Sequence, residues 1–162
     1  MGQVRMMAVN DSIYFYDSAN PYYEFTNFYP APFVINGVKW PTSEHYFQAG
    51  KFATGIRQNA PMVNVILSTR KASDVFKYAN SNSALVRSEW KQGDDFKNWV
   101  MWEALWEKFR QNPALRQMLL STGTKKLYED SPVDSYWGIG VDGQGFNVLG
   151  RMLMAIRDSG KL

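Results

Sequence analysis

The chain has 162 residues and a mass of 18.6 kDa, and its 45% hydrophobic content is enough for the core of one globular domain and excludes a disordered class. With no cysteine it can build neither a disulfide framework nor a thiolate metal site, which suits a reducing compartment, cytoplasmic or nuclear; with no apolar run near the about 18 residues of a membrane helix, a soluble protein without a membrane partner is expected. A net charge of +3, without a basic run, permits a phosphate-bearing ligand but does not mark a dedicated DNA-binding surface.

Met1-Gly2 opens like a myristoylation signal, yet Met6 stands where that signal needs Ser or Thr, so the reading is rejected. Residues 13–16 (Ile-Tyr-Phe-Tyr) read as a strand. Residues 20–32, rich in Tyr, Phe and Pro, read as an ordered aromatic loop. Phe33-Val34-Ile35 and Val38-Lys39-Trp40, joined by Asn36-Gly37, form a strong hairpin signal and predict a small antiparallel sheet.

Pro41 then ends the strand, Thr42 or Ser43 can cap the next free amides, and a helix is predicted from Ser43 to Phe52. At about 100° per residue, Glu44, Gln48 and Lys51 share one stripe, flanked by Phe47 on one side and His45 and Phe52 on the other. A carboxylate and an amine between aromatic rings are costly unless paired or used, so this stripe reads as the wall of a pocket.

From Pro61 onward helix predominates: 62–68, 72–78, then a polar connection carrying Arg87 and Trp90, then a longer helix capped by Asp94 or Asp95. In it Phe96, Trp99, Trp102, Leu105, Trp106 and Phe109 recur at three and four residues, which predicts a core stripe with its tryptophans packed. Asn112-Pro113 supplies a cap and an N1 proline for another helix, closed by Gly123. Residues 125–128 predict a strand, and a Gly-rich segment, Gly138 to Gly145, leads into a last helix capped by Asn147. No repeat or linker divides the chain. The expected class is therefore α+β, one mainly helical domain with a small antiparallel sheet.

Glu44 and Asp134 are the best carboxylate pair for opening a glycosidic bond, which needs a stabilised cationic sugar carbon, a proton for the leaving atom and an activated water. Near a helix N-terminus, Glu44 would have its ionised form favoured, which suits a base unless burial outweighs the dipole. Lys51 permits a second route, capture of an opened ribose aldehyde as a Schiff base; pairing with a phosphate or carboxylate is the equal alternative. Gly138-Ile139-Gly140-Val141-Asp142-Gly143 matches GxGxxG without the context of a Rossmann turn, though Gly143, Gly145 and the amides beyond Asn147 could form an anion site or a plain turn. His45 is the single histidine, so neither a His-rich metal site nor a Ser-His-Asp triad is expected. The 6 Trp, 9 Tyr and 10 Phe supply stacking walls beyond what the core needs.

The run from Trp40 to Phe52, WPTSEHYFQAGKF, closely resembles the signature of the NADAR (YbiA-like) family. Glu24-Phe25-Thr26-Asn27-Phe28 is similar to that family's F-S-N-F element, with Thr26 in place of Ser. Arg87 and Trp90, Lys108-Phe109 with Asn112, Asp134 with Trp137-Gly138, and Gly145 to Gly150 follow in the family's order, so the resemblance runs from about Ile13 to Arg157. It implies a YbiA-like fold and an N-glycosidase acting on ribosyl compounds related to NAD and ADP-ribose. Two activities follow from it: removal of ADP-ribose from the amino group of guanine in nucleic acid, ranked first, and hydrolysis of phosphorylated riboflavin-pathway intermediates. By motif, Glu44, Lys51 and Asp134 would carry catalysis, Trp90 and Trp137 with Gly138 would wall the sugar or base, and Asn27, Gln48, Arg87 and Asn147 would orient an ADP-ribose-bearing ligand. No cofactor, no metal and no obligate protein partner are implied. The rival from another class is a module that binds ADP-ribose without turning it over.

Overall fold

The computed structural model describes residues 11–52 and 61–162; Met1, Gly2 and Met6, on which the myristoylation reading falls, lie outside them. In chain order the elements are β1 (Ser12–Phe15), β2 (Phe33–Ile35), β3 (Val38–Trp40), α1 (Ser43–Gly50), α2 (Pro61–Ser68), α3 (Ala72–Ser81), α4 (Asp95–Gln111), α5 (Pro113–Ser121), β4 (Lys126–Glu129) and α6 (Val148–Asp158), with 3-10 turns at Tyr23–Phe25, Ser83–Leu85 and Ser88–Lys91. The class is α+β and mainly helical.

β2 and β3 form the expected antiparallel hairpin, with Asn36 and Gly37 both at positive φ (50° and 76°), the backbone that a two-residue I′ turn requires. β1 does not join it. It pairs in parallel with β4, Ile13 opposite Leu127 and Phe15 opposite Glu129. A parallel pair needs a long crossover, here most of the chain, and no local pattern announces such a pairing.

α1 is the centre of the molecule. Every residue from Ser43 to Ala49 is buried, against α2, α3 and α4. The Thr42 hydroxyl caps it by accepting from the His45 amide at 3.1 Å. Both ring nitrogens of His45 are occupied, by Thr42 Oγ1 at 2.7 Å and the Thr69 carbonyl at 2.8 Å, and burial pulls its pKa down, so it is a neutral strut between α1 and the end of α2. The helix stops at Gly50, two residues earlier than expected. There a Cβ would come within 2.8 Å of Val100 Cγ1 and 3.2 Å of Trp90, so the close approach of α1 to α4 depends on the glycine.

The core stripe of α4 differs from the expected one. Its inward face is Val100, Met101, Ala104, Leu105, Lys108 and Phe109. Trp102 and Trp106 pack on the edge of the core, and Trp99 is 54% exposed. The aromatic spacing spanned more than one face, and the small residues Val100 and Ala104 mark the side where α1 comes close. Asp94 and Asn112 stand at the expected N-cap positions without capping through their side chains. Asp94 instead pairs with Lys97, and Asn112 Nδ2 donates to the carbonyls of Pro32 and Lys108.

Lys108 is fully buried, and its ammonium donates to the Thr26 carbonyl at 2.7 Å, holding the aromatic loop that carries Asn27. Burial pushes its pKa from 10.5 down to about 7. The unfolded chain therefore binds more protons than the folded one between these values, and stability rises as pH increases through that window. The melting temperature is expected to climb between about pH 7 and 10, and Lys108→Met should remove that climb. Parallel melting curves for the two proteins would exclude titration of Lys108.

Candidate active site

Four segments converge: α1, the turn at Ser88–Lys91, the first turn of α4, and the loop after β4. Glu44 lies in the first turn of α1, 5% exposed, with Gln48 Nε2 donating to its Oε1 at 2.7 Å. Burial pushes its carboxyl up to about 7, helped by Asp134 and opposed by the Gln48 hydrogen bond and by Lys51. Burial thus outweighs the helix dipole, and near neutral pH Glu44 is poised between its two forms. The other oxygen of this arrangement, Gln48 Oε1, is enclosed without a partner among the described residues.

Asn27 sits beside the same helix end. Its Oδ1 accepts from the Ser43 hydroxyl at 2.7 Å, and its carbonyl accepts from the Glu44 amide at 3.1 Å. The aromatic loop is in this way fastened to the turn that carries Glu44. Thr26, which replaces the family's Ser, donates its hydroxyl to the Tyr23 carbonyl at 2.8 Å, a bond that Ser could also make.

Lys51 follows α1 directly. Its carbonyl accepts from the Arg87 amide at 2.8 Å, tying the Arg87 and Trp90 segment to the end of the helix. Burial lowers the Lys51 pKa, and Lys97 lowers it further, while Glu44 opposes both. The Arg87 guanidinium lies 4.4 Å from the centre of the Phe96 ring and pairs with Glu89 at 2.8 Å. Lys97 stands 4.0 Å over the Tyr136 ring. Two cations are therefore carried on aromatic rings near Lys51.

Phe47 is the hub of the wall, 4.9 Å from Trp90 and 5.3 Å from Trp137 between ring centres. Trp90 continues to Phe96, and Trp137 to Tyr136. Trp90→Ala is expected to weaken ligand binding by about 1 to 3 kcal/mol if the indole stacks on a ring. Melting temperature measured beside affinity separates this from packing: unchanged affinity with a large melting loss would assign Trp90 to the core.

The loop after β4 is built around Asp134, whose Oδ1 accepts from the amides of Tyr136 at 2.9 Å and Trp137 at 2.8 Å. That turn aims Trp137 at Phe47. Gly138 follows, wedged so that a Cβ would lie 2.7 Å from the Glu129 carbonyl and 3.0 Å from that of Asp134. Glu129, which the sequence reading did not single out, belongs to the same site. Burial, then Asp134 and Glu44, push its carboxyl up to about 8. The charge of Asp134 thus acts on both Glu44 and Glu129, and that of Glu44 acts on Glu129, although among the described residues no group of three is placed to hold a metal ion.

Asn147 supports the loop from behind. It has φ 52°, and its side chain is committed to β4: Oδ1 accepts from the Glu129 amide at 2.9 Å and Nδ2 donates to the Leu127 carbonyl at 2.9 Å. This is why it does not cap α6 through its side chain. The anion reading of the glycine loop is also corrected. The amides of Gly145 to Leu149 donate to the carbonyls of residues 135–139, so the start of α6 is docked on the Asp134 loop and has no such amides to offer a phosphate. The segment is a turn that closes the site.

The sequence matches the NADAR domain over residues 14–159. It is 39% identical to the N-glycosidase YbiA of Escherichia coli over 152 residues, covering 90% of this chain and 86% of that one. It is 36% identical to a riboflavin biosynthesis protein of Vibrio vulnificus over 96% of this chain; that protein is much longer, and the match spans 40% of its length. The fold superposes on the NMR structure of Escherichia coli YbiA with a TM-score of 0.80 and 36% identity, covering 93% of this chain and 86% of the other. With the sequence signature, the fold and nearly the whole length in agreement, the chain belongs to the NADAR family.

Proposed function

We propose that this protein is an N-glycosidase that hydrolyses a bond between ribose C1 and nitrogen, and that its substrate is ADP-ribose carried on guanine of nucleic acid. The observation that carries the reading is the buried Glu44, held by Gln48 on the helix that carries Phe47 against Trp90 and Trp137, and under the influence of the Lys51 charge. A carboxylate with a pKa near 7 can take a proton from water and can also stabilise positive charge on the sugar carbon. Relatives bearing the name N-glycosidase support the bond class.

In this reading the electron pair of the C1–N bond leaves with nitrogen, water adds to C1, and Glu44 accepts the water's proton. Trp90 and Trp137 stack on the sugar or base. Arg87, Lys97 and Lys51 are the cations set near this aromatic wall, the first two shared with Glu89 and Asp94, and in this reading they meet a pyrophosphate, which favours a dinucleotide-sized ligand. A second reading, hydrolysis of a phosphorylated riboflavin-pathway intermediate, is favoured by the name of the Vibrio vulnificus relative. The decisive experiment offers the protein an ADP-ribosylated guanine oligonucleotide, NAD, free ADP-ribose and a ribosylaminouracil phosphate, and follows products by mass spectrometry. Release of ADP-ribose from the oligonucleotide alone supports the first reading, and cleavage of the aminouracil compound alone supports the second. Binding without any product would make the protein a reader.

A further inference from the structure

β4 alternates inward and outward side chains, and Leu127, fully buried, shares its inward face with Glu129. A carboxylate at a core-facing strand position needs a purpose, because an unpaired buried charge is costly. Among the described residues no cation pairs with Glu129, and its Oε2 is enclosed without a partner, although the residue as a whole is only partly buried. Its backbone is fixed at both ends, the amide by Asn147 Oδ1 at 2.9 Å and the carbonyl by the Ile139 amide at 2.9 Å. Its neighbours in charge are Asp134, at the other side of the same loop, and Glu44. Such a side chain is relieved of its cost by keeping a proton, and the loop that fixes it also carries Trp137 against Phe47 on the helix of Glu44.

Resting on the glycosidase reading, we propose that Glu129 is the acid of the reaction, the group that protonates the leaving nitrogen while Glu44 serves as the base. As the C1–N bond breaks, its electron pair stays on nitrogen and the Glu129 proton bonds to that pair, leaving a carboxylate. Water adds to C1 and gives one proton to Glu44. The sum is one water consumed, a new C1 hydroxyl and an N–H on the released base; loss of the Glu44 proton and uptake of one by Glu129 restore the enzyme. The pKa of Glu129, about 8, keeps the acid form present at neutral pH, and that of Glu44, about 7, lies below it, so the two can hold opposite forms between those values.

The test is Glu129→Gln, which keeps size and removes the transferable proton, measured on two substrates: the ADP-ribosylated guanine oligonucleotide and 4-nitrophenyl ADP-ribose, whose nitrophenolate departs without a proton. On the oligonucleotide kcat should fall at least about 10²-fold with KM within about threefold. On the nitrophenyl compound activity should stay within about fivefold of wild type. The alkaline fall in wild-type kcat/KM above about pH 8 should be missing from the residual activity of the variant on the oligonucleotide. Equal losses on both substrates, or an unchanged alkaline fall, would make Glu129 structural and overturn the assignment, as would full activity of the variant on the oligonucleotide. A wild-type protein inert on both compounds would instead remove the ADP-ribosyl-guanine reading on which the assignment rests, and this inference with it.

Discussion

Glu44→Gln is expected to lower turnover by about 10² to 10⁴-fold while leaving ligand affinity nearly unchanged, because the amide keeps the size of the side chain and can still meet Gln48 but cannot accept a proton. The same substitution should raise stability. The wild-type carboxyl holds its proton up to about pH 7, whereas in the unfolded chain it loses it near 4.5. Between these values the unfolded state binds fewer protons, so folding stability falls as pH rises, by about 3 kcal/mol at about 1.4 kcal/mol per pH unit. A glutamine carries no such cost. The variant should therefore melt at or above the wild-type temperature at pH 8 and lose that advantage at pH 4. Stability spent on a buried acid and lost activity on neutralising it are two readings of one desolvation, and a variant within a few-fold of wild-type turnover would take Glu44 out of the chemistry.

What the sequence could disclose followed the range of the interactions. The stripe of Glu44, Gln48 and Lys51 is local to one helix, so periodicity brought the three together, and the structure bears this out in the hydrogen bond from Gln48 to Glu44 and in the mutual influence of Glu44 and Lys51. The Asn36-Gly37 hairpin was legible for the same reason. The parallel pairing of β1 with β4 was not, because its partners lie more than a hundred residues apart. Glu129 left a readable trace, since Leu127 and Glu129 fall on one face of a strand, but the trace becomes informative only once that face is known to be inward. Lys97 left none: its place over Tyr136 and near Lys51 comes from the docking of α4 against the Asp134 loop. The glycine loop misled in the opposite way. Its amides look free in the sequence and are consumed by carbonyls of the neighbouring loop in the fold.

If the ribose ring opens during turnover, borohydride added to the reaction, or to protein with ADP-ribose, should leave a stable adduct on Lys51 that peptide mass spectrometry can locate. The amine would add to the C1 aldehyde and lose water to give the imine that borohydride reduces. Only the neutral amine can do this. Burial and Lys97 lower the Lys51 pKa, so the reactive form reaches further toward neutral pH than in an ordinary lysine, and trapping should weaken as the solution is acidified and the amine takes up a proton. Lys97→Met removes one of the lowering influences and should therefore move this acidic fall to higher pH without removing the adduct. Lys51→Arg should abolish both trapping and turnover, a loss that for a nucleophile can reach about 10⁶-fold. If no adduct forms under conditions that trap a known Schiff-base enzyme, and Lys51→Arg keeps substantial activity, Lys51 is a phosphate or carboxylate partner. Catalysis then rests on Glu44 with Glu129 at the end of β4 and Asp134 in the loop after it.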